Sequence, residues 1–144
     1  MNAERPTITP RGEEQLFYRG LAENELRYQQ CTSCTAIVFP LRTLCNGCGG
    51  VDLEVRSSAG CGQVYSFTTH HRASHPFFAD RVPYTVVLVD LDEGFRVLGG
   101  TRATESEVQV GRAVRAEYLA LDDELTVLEF VPIRDSHDVA GVAA

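Results

Sequence analysis

Residues 31–48 read CTSCTAIVFPLRTLCNGC and contain two Cys-x-x-Cys pairs, Cys31 with Cys34 and Cys45 with Cys48. Two residues within each pair allow one tight turn to direct both sulfurs at a single point, and the intervening segment brings in the second turn. This spacing predicts a zinc ribbon with four thiolate ligands. Because four protein sulfurs fill a tetrahedral coordination sphere, the zinc ion is expected to be structural rather than catalytic.

Disulfides, unpaired thiols or a rubredoxin-like iron site could use the same cysteines. The N-terminal sequence has no apolar segment or cleavage site typical of a signal peptide, and no apolar run reaches membrane-spanning length. We therefore predict a cytoplasmic location and no membrane partner. The reducing cytoplasm disfavours stable disulfides, which favours zinc. Cys61 has no partner at ligand spacing and is interpreted as an inert thiol.

A short helix is predicted before the ribbon. Apolar residues form one stripe within residues 12–24, with glutamates in the first turn, as an amphipathic helix requires. Alternation of apolar and polar residues predicts strands at residues 25–30 and 36–40. We assign residues 1–11 to a flexible arm and residues 12–56 to the helix and ribbon.

The remaining sequence predicts a mostly β fold, with a five-stranded OB-fold barrel at residues 57–135. Its β-rich runs are separated by turn signals, notably at residues 92–94 and at residues 122–123. Five antiparallel strands over roughly 80 residues are what such a Greek-key barrel needs. Residues 103–110 are expected to form a helix or a long loop between the third and fourth strands. Residues 136–144 are assigned to a flexible tail.

Charge and composition exclude several functions. The net charge is −7, and residues 61–144 contain seven arginines against thirteen acidic residues. A surface that follows a phosphate backbone shows the opposite bias, so we predict no nucleic-acid partner. All thirteen basic residues are arginine, so imine chemistry and a P-loop lysine are excluded.

His70 and His71 end the predicted first barrel strand. Adjacent strand residues point to opposite faces, so the two imidazoles are not expected to bind one metal ion. Either could act as a base in a small stand-alone hydrolase or hydratase. No serine or cysteine lies in a recognisable catalytic motif beside them, so we predict no catalytic residue.

The segment HRASHPFFADR, residues 71–81, combines arginines with Phe77 and Phe78. The two phenylalanines either close the barrel core or form an exposed patch that awaits a partner. Arginine beside aromatic residues is favoured at interface hot spots, so this segment is the best candidate for a partner surface. Arg42, between the cysteine pairs, could bind a phosphate or a partner carboxylate, or remain solvated.

Taken together, several ordered motifs resemble the family of rubredoxin-like zinc-ribbon plus OB-fold proteins associated with acyl-CoA enzymes. The resemblance covers roughly residues 13–133. It is carried by FYRGLAENELRYQQC (17–31), FPLRTLCNGC (39–48), GQVYSFTTHHR (62–72), HPFFADRVPY (75–84) and LDEG (91–94).

The resemblance implies a non-catalytic accessory subunit that binds a thiolase-superfamily enzyme or an acyl-CoA hydratase. Such partners include thiolases, acyltransferases and aldolases, with settings in steroid and aromatic degradation. It also implies zinc on the four cysteines and acyl-CoA at the interface. An OB-fold nucleic-acid binder and a stand-alone acyl-CoA hydrolase or hydratase are the alternatives.

We expect the helix and ribbon to dock on the partner, with the barrel wall along the acyl-CoA channel, where Arg42 or Arg72 could meet a CoA phosphate. The residues predicted to contact the partner or CoA are Phe17, Tyr18, Arg42, His71, Arg72, Phe77 and Phe78.

Overall fold

The computed structural model describes residues 3–134, so the tail predicted at residues 136–144 lies outside the described part. This part contains one α-helix, eight strands and one 3-10 helix. Their bounds are α1 Glu14–Ala22, β1 Leu26–Cys31, β2 Ile37–Val38, β3 Leu53–Ser58, β4 Cys61–His70, η1 Pro76–Arg81, β5 Tyr84–Leu91, β6 Arg96–Thr101, β7 Ala113–Ala120 and β8 Thr126–Pro132.

Helix α1 turns directly into the first strand of the ribbon. Asn24 adopts a left-handed conformation with φ of 60°, which asparagine tolerates better than most residues. Gly20 allows close packing, because a Cβ there would lie 2.8 Å from the Arg27 side chain. The helix can therefore pack tightly against β1, which is flanked by β2 and β3 in an antiparallel sheet of order β2-β1-β3.

The other five strands form a closed barrel of order β4-β5-β6-β8-β7, which confirms the predicted OB-fold. Burial alternates along β5, as the period of two requires for a strand with one face in the core. The parallel contact between Gly100 of β6 and Glu129 of β8 closes the barrel. Residues 102–112 connect β6 to β7 without a helix, so the long loop is the alternative observed.

The helix, ribbon and barrel share one hydrophobic core. Leu21 of α1 and Leu26 of β1 are buried together with side chains from the barrel strands. Tyr28 of β1 stacks on Phe95 beside β6, with ring centroids 4.9 Å apart, and Phe39 packs against the same Phe95 ring at 5.0 Å. The ribbon is therefore fastened to the barrel by aromatic packing rather than by its backbone alone.

Strand β3 pairs with β1 as far as Ser58, so the division predicted after residue 56 falls inside this strand. Residues 3–11 contain no helix or strand, but Arg5 forms an ion pair with Asp122 at 2.9 Å. Within residues 3–134 no helix is long and apolar enough to cross a membrane.

Candidate metal centre and partner surface

The two cysteine turns have the same backbone geometry. Cys31 ends β1, and its carbonyl accepts a hydrogen bond from the N–H of Thr35 at 3.0 Å. The carbonyl of Cys45 accepts the equivalent bond from Gly49 at 2.9 Å. Thr35 and Gly49 are both left-handed, with φ of 66° and 74°. Each turn reverses the chain tightly enough to place its two sulfurs side by side.

The four sulfurs match the dimensions of a tetrahedral zinc site. Sγ of Cys31 lies 3.7 Å from Sγ of Cys48, and Sγ of Cys34 lies 3.6 Å from Sγ of Cys45. All four atoms lie within 4.8 Å of one another. Zinc–sulfur bonds of about 2.3 Å in a tetrahedron require sulfur–sulfur distances of about 3.8 Å. The sulfurs are thus already spaced to hold the ion.

Backbone N–H groups supply further stabilisation of thiolates. Gly47 donates to Sγ of Cys45 at 3.3 Å, and Gly50 donates to Sγ of Cys48 at 3.4 Å. N–H groups of Cys34 and Ser33 lower the pKa of Cys31 to about 7. The N–H of Ala36 lowers the pKa of Cys34, but hydrogen bonding to Cys45 and burial outweigh it and raise this pKa to about 12.

The raised pKa of Cys34 means that this thiol keeps its proton at neutral pH unless a cation replaces it. Four adjacent thiolates repel each other, and Zn²⁺ supplies the charge that lets all four ionise. Cys61, by contrast, begins β4 away from the cluster. Burial raises the pKa of its thiol, and the charges of Asp92 and Glu93 raise it further. A protonated thiol is a weak nucleophile, in agreement with the interpretation of Cys61 as inert.

The histidines within residues 3–134 do not form a second metal site. The ring of His70 stacks on Tyr84, with centroids 4.8 Å apart and planes 5° apart. His71 follows the end of β4 and is exposed. Among residues 3–134, the four ribbon cysteines are the group whose ligand atoms converge on a metal position.

The aromatic residues predicted to contact a partner differ in their packing. Phe17 packs on Phe39, with centroids 5.8 Å apart, and on Tyr18 at 5.3 Å, so both helix residues lie partly buried against the core. They also line a shallow groove of about 260 Å³ beside the exposed Leu98. Their contact with a partner stays a prediction.

Phe77 and Phe78 lie on η1, which crosses one end of the barrel. The N–H of Phe77 donates to Nδ1 of His75 at 3.1 Å, which caps this helix. The two rings meet edge to face at 5.1 Å, and the Arg81 guanidinium lies 4.3 Å from the Phe77 centroid. Both rings are half-buried and line a cavity of about 340 Å³. Neither ring is among the side chains that pack against the buried core, which favours the partly exposed patch over the closed core, and contact with a partner stays a prediction.

Arg42 and Arg72 are exposed. The backbone of Arg42 is held by Gln29 of β1, whose side-chain amide is buried. This anchor was not predicted, because a lone glutamine in a strand gives no sequence signal of a partner thirteen residues away. The buried Glu129 was also missed. Its signal was an acidic residue inside the apolar run VLEFV, residues 127–131.

Two family models match consecutive parts of the chain. The model described as the rubredoxin-like zinc ribbon domain of ChsH2 matches residues 19–54. The model described as the C-terminal OB-fold domain of ChsH2 matches residues 55–119. Both parts of the fold thus have sequence counterparts in one family.

Curated relatives share the same region. The chain is 31% identical over 131 residues to the probable enoyl-CoA hydratase alpha subunit of Thermomonospora curvata, covering 90% of this chain and 40% of the relative. It is 32% identical to the 3-oxo-4,17-pregnadiene-20-carboxyl-CoA hydratase alpha subunit of Mycobacterium tuberculosis, covering 74% and 34%. The chain therefore spans well under half the length of these two relatives. A DUF35 domain-containing scaffold protein of Methanocaldococcus jannaschii is 28% identical, with 66% and 68% covered.

Solved structures agree with the family models. A chain of the Ltp2-ChsH2(DUF35) aldolase superposes with a TM-score of 0.77 at 32% identity, covering 89% of this chain and 98% of that one. A DUF35 protein of unknown function from Sulfolobus solfataricus has a TM-score of 0.57 at 19% identity, with 84% and 85% covered, which supports the fold alone. With its four-cysteine zinc ribbon joined to a five-stranded OB barrel, the chain belongs to the ChsH2 (DUF35) family.

Proposed function

We propose that this chain is a non-catalytic zinc-binding subunit that docks on a thiolase-superfamily enzyme acting on acyl-CoA. It would support the assembly, activity or acyl-CoA binding of that enzyme. The observation that carries the proposal is the likeness to a chain of the Ltp2-ChsH2(DUF35) aldolase, which extends over 98% of that chain at 32% identity. The scaffold name of the Methanocaldococcus relative supports the same role.

The chemistry of the described residues supports a binding role rather than a catalytic one. The metal centre offers four protein sulfurs, so a bound zinc ion has no open position for water or substrate. His70 was one of the two histidines considered as a base, and its ring is stacked face to face on Tyr84. The chain has no lysine for imine chemistry. Reaction chemistry would then belong to the partner.

We assign the docking surface to residues 71–81, with Arg42 as a separate contact on the ribbon. His71 and Arg72 are exposed, and Phe77 and Phe78 are half-buried beside them in sequence. Aromatic residues and arginine dominate interface hot spots because they bury large areas at low entropic cost. Arg42 or Arg72 would meet a CoA phosphate if the thioester enters along this interface. A reducing cytoplasm suits a subunit held by four zinc thiolates.

A hydratase partner is the second candidate. Two relatives are named as alpha subunits of acyl-CoA hydratases, one of them for a pregnadiene carboxyl-CoA. The chain matches 40% and 34% of their lengths, so the unmatched parts of those proteins can hold their catalytic residues. Assaying hydration and carbon–carbon bond cleavage on the same complex separates the two candidates.

The test is to express the chain alone and together with a thiolase-like enzyme encoded beside it. Copurification, with activity present only in the pair, is expected. Full activity of the enzyme without this chain would refute the proposal. Arg72→Ala should weaken copurification while the isolated variant stays folded, because Arg72 is exposed. Arg112→Ala is the matched control, because Arg112 is an exposed arginine outside the proposed surface.

A further inference from the structure

A buried carboxylate lies at the barrel end that η1 covers. Glu129 of β8 is only 9% exposed. Nε of Arg102 lies 2.8 Å from its Oε2, so the charge of the carboxylate has a counterion. Within residues 3–134, however, Oε2 accepts no hydrogen bond, because the Arg102 N–H is not directed at it. The Arg102 guanidinium instead donates to Glu117 at 3.1 Å. Glu129 thus keeps an unused acceptor.

Glu129 lines two adjoining cavities of different character. One, of about 620 Å³, includes the hydroxyls of Thr69 and Thr85, which lie 2.9 Å apart. The other, of about 340 Å³, is mainly apolar and includes Phe78 and Leu119. Because one threonine hydroxyl donates to the other, one hydrogen of the pair remains for a third partner. Together the cavities have the size and mixed lining of small-molecule sites.

We propose that this barrel end binds a neutral apolar molecule that carries a hydroxyl group. The hydroxyl would donate to Oε2 of Glu129, and the apolar body would lie against Phe78 and Leu119. A buried acceptor without a donor is unfavourable, so a ligand that supplies the donor gains affinity at this position. Arg102 already balances the charge of Glu129, so the carboxylate oxygen lacks a hydrogen-bond donor rather than a further opposite charge. A neutral donor therefore fits best.

The test compares two isomers of equal size that differ in whether they can donate a hydrogen bond. 1-Octanol and heptyl methyl ether have the same formula, but only the alcohol can donate a hydrogen bond. Each is titrated into the zinc-loaded chain, and backbone amide shifts are followed by NMR. We expect saturable shifts at Phe78, Leu119 and Glu129, with the alcohol bound about tenfold more tightly than the ether.

Glu129→Gln should reduce the preference for the alcohol several-fold, because a neutral amide oxygen is a weaker acceptor than a carboxylate. Glu124→Gln is the matched control, since Glu124 is exposed in the β7–β8 turn, and it should bind both isomers as the unchanged chain does. Thermal unfolding of each variant verifies that the barrel is intact. If Glu129→Gln fails to fold, Thr69→Val tests the same polar cavity and should also reduce the preference.

Equal affinity for the two isomers, no saturable binding, or shifts confined to the groove at Leu98 would overturn the proposal. Phe78 also belongs to the proposed docking surface, so the titration is done without the enzyme, and failure of alcohol binding there overturns the ligand site whatever covers Phe78 in a complex. The proposal does not depend on the proposed function. The titration uses the isolated chain, so its failure and the failure of enzyme docking are observed separately.

Discussion

The buried side-chain amide of Gln29 holds both backbone polar groups of Arg42. Its Oε1 accepts the Arg42 N–H at 2.7 Å, and its Nε2 donates to the Arg42 carbonyl at 3.0 Å. Gln29 precedes Cys31 by two residues, and Arg42 precedes Cys45 by three. One side chain therefore fixes the loop that delivers the second cysteine pair against the strand that delivers the first.

Gln29→Met should destabilise the fold by about 1–3 kcal/mol, because it removes both bonds and leaves polar groups in a largely buried position without partners. Denaturant unfolding of the zinc-loaded protein measures the loss. Gln63→Met is the control, because Gln63 is exposed on β4, and its effect should stay within about 0.5 kcal/mol. Equal stability of the two variants would show that the Gln29 bonds do not hold the loop.

Metal analysis should return about one zinc ion per chain, because the four sulfurs form a single site. Cys45→Ser should lose most of the zinc and lower the melting temperature, and a chelator should have the same effect on the unchanged chain. Cys61→Ser should retain the metal, because Cys61 lies outside the cluster. A stable, metal-free native chain would be incompatible with a structural zinc ribbon.

Gly62 of β4 pairs with Leu91 of β5 and lies against the β5 main chain. A Cβ at this position would be 2.2 Å from the carbonyl oxygen of Asp90, a main-chain atom that cannot turn aside. Gly62→Ala should therefore destabilise the barrel by about 3 kcal/mol or more. Gly100→Ala is the matched control in the same barrel, because its nearest neighbour is the Glu129 side chain at 3.9 Å. Thermal unfolding of both variants should give a large loss only for Gly62.

The lowered pKa of Asp122 makes the stability of the fold depend on pH in the acid range. The N–H of Glu124 lowers its pKa, and the N–H of Leu125 and Arg5 lower it further. A carboxylate with a lowered folded-state pKa stabilises the fold above the unfolded-state value of about 3.9, and the contribution disappears as pH falls through the folded-state pKa. An NMR titration should place the Asp122 midpoint below about 3.9.

Arg5→Ala should raise the Asp122 midpoint, because it removes the ion pair at 2.9 Å. Arg11→Ala should leave it unchanged, because Arg11 is an exposed arginine on the same arm whose side chain is not a cause of the Asp122 shift. Identical midpoints in the two variants would show that the arm does not rest against the β7–β8 turn in solution.

The parts of the fold that local spacing encodes were predictable. The two Cys-x-x-Cys pairs predicted a metal cluster whose sulfurs converge in the structure. β-rich runs separated by turn signals predicted the five strands that close the barrel, and the turn at residues 92–94 joins β5 to β6 as expected. Such signals depend on neighbours a few residues apart, so the sequence expresses them directly.

The relations that join distant segments were not predictable in this way. Phe17 and Tyr18 gave no sign that they would pack partly against the core, because a helical stripe shows which face is apolar but not what covers it. The anchor at Gln29 and the buried acid at Glu129 depend on contacts made only after the chain has folded. The neighbourhood of Gln29 resembles an ordinary strand, whereas the acid inside the apolar run at residues 127–131 was a signal that was not used.

The shared core has a consequence for how the molecule can be divided. Ala59 and Gly60 separate the two sheets and would be the obvious point to cut the chain into a ribbon fragment and a barrel fragment. A cut there would expose Tyr28 on one fragment and Phe95 on the other, since each ring covers the other. We therefore expect that neither fragment folds stably without the other. The two family domains should melt in one cooperative transition, and loss of zinc should lower the stability of the barrel as well.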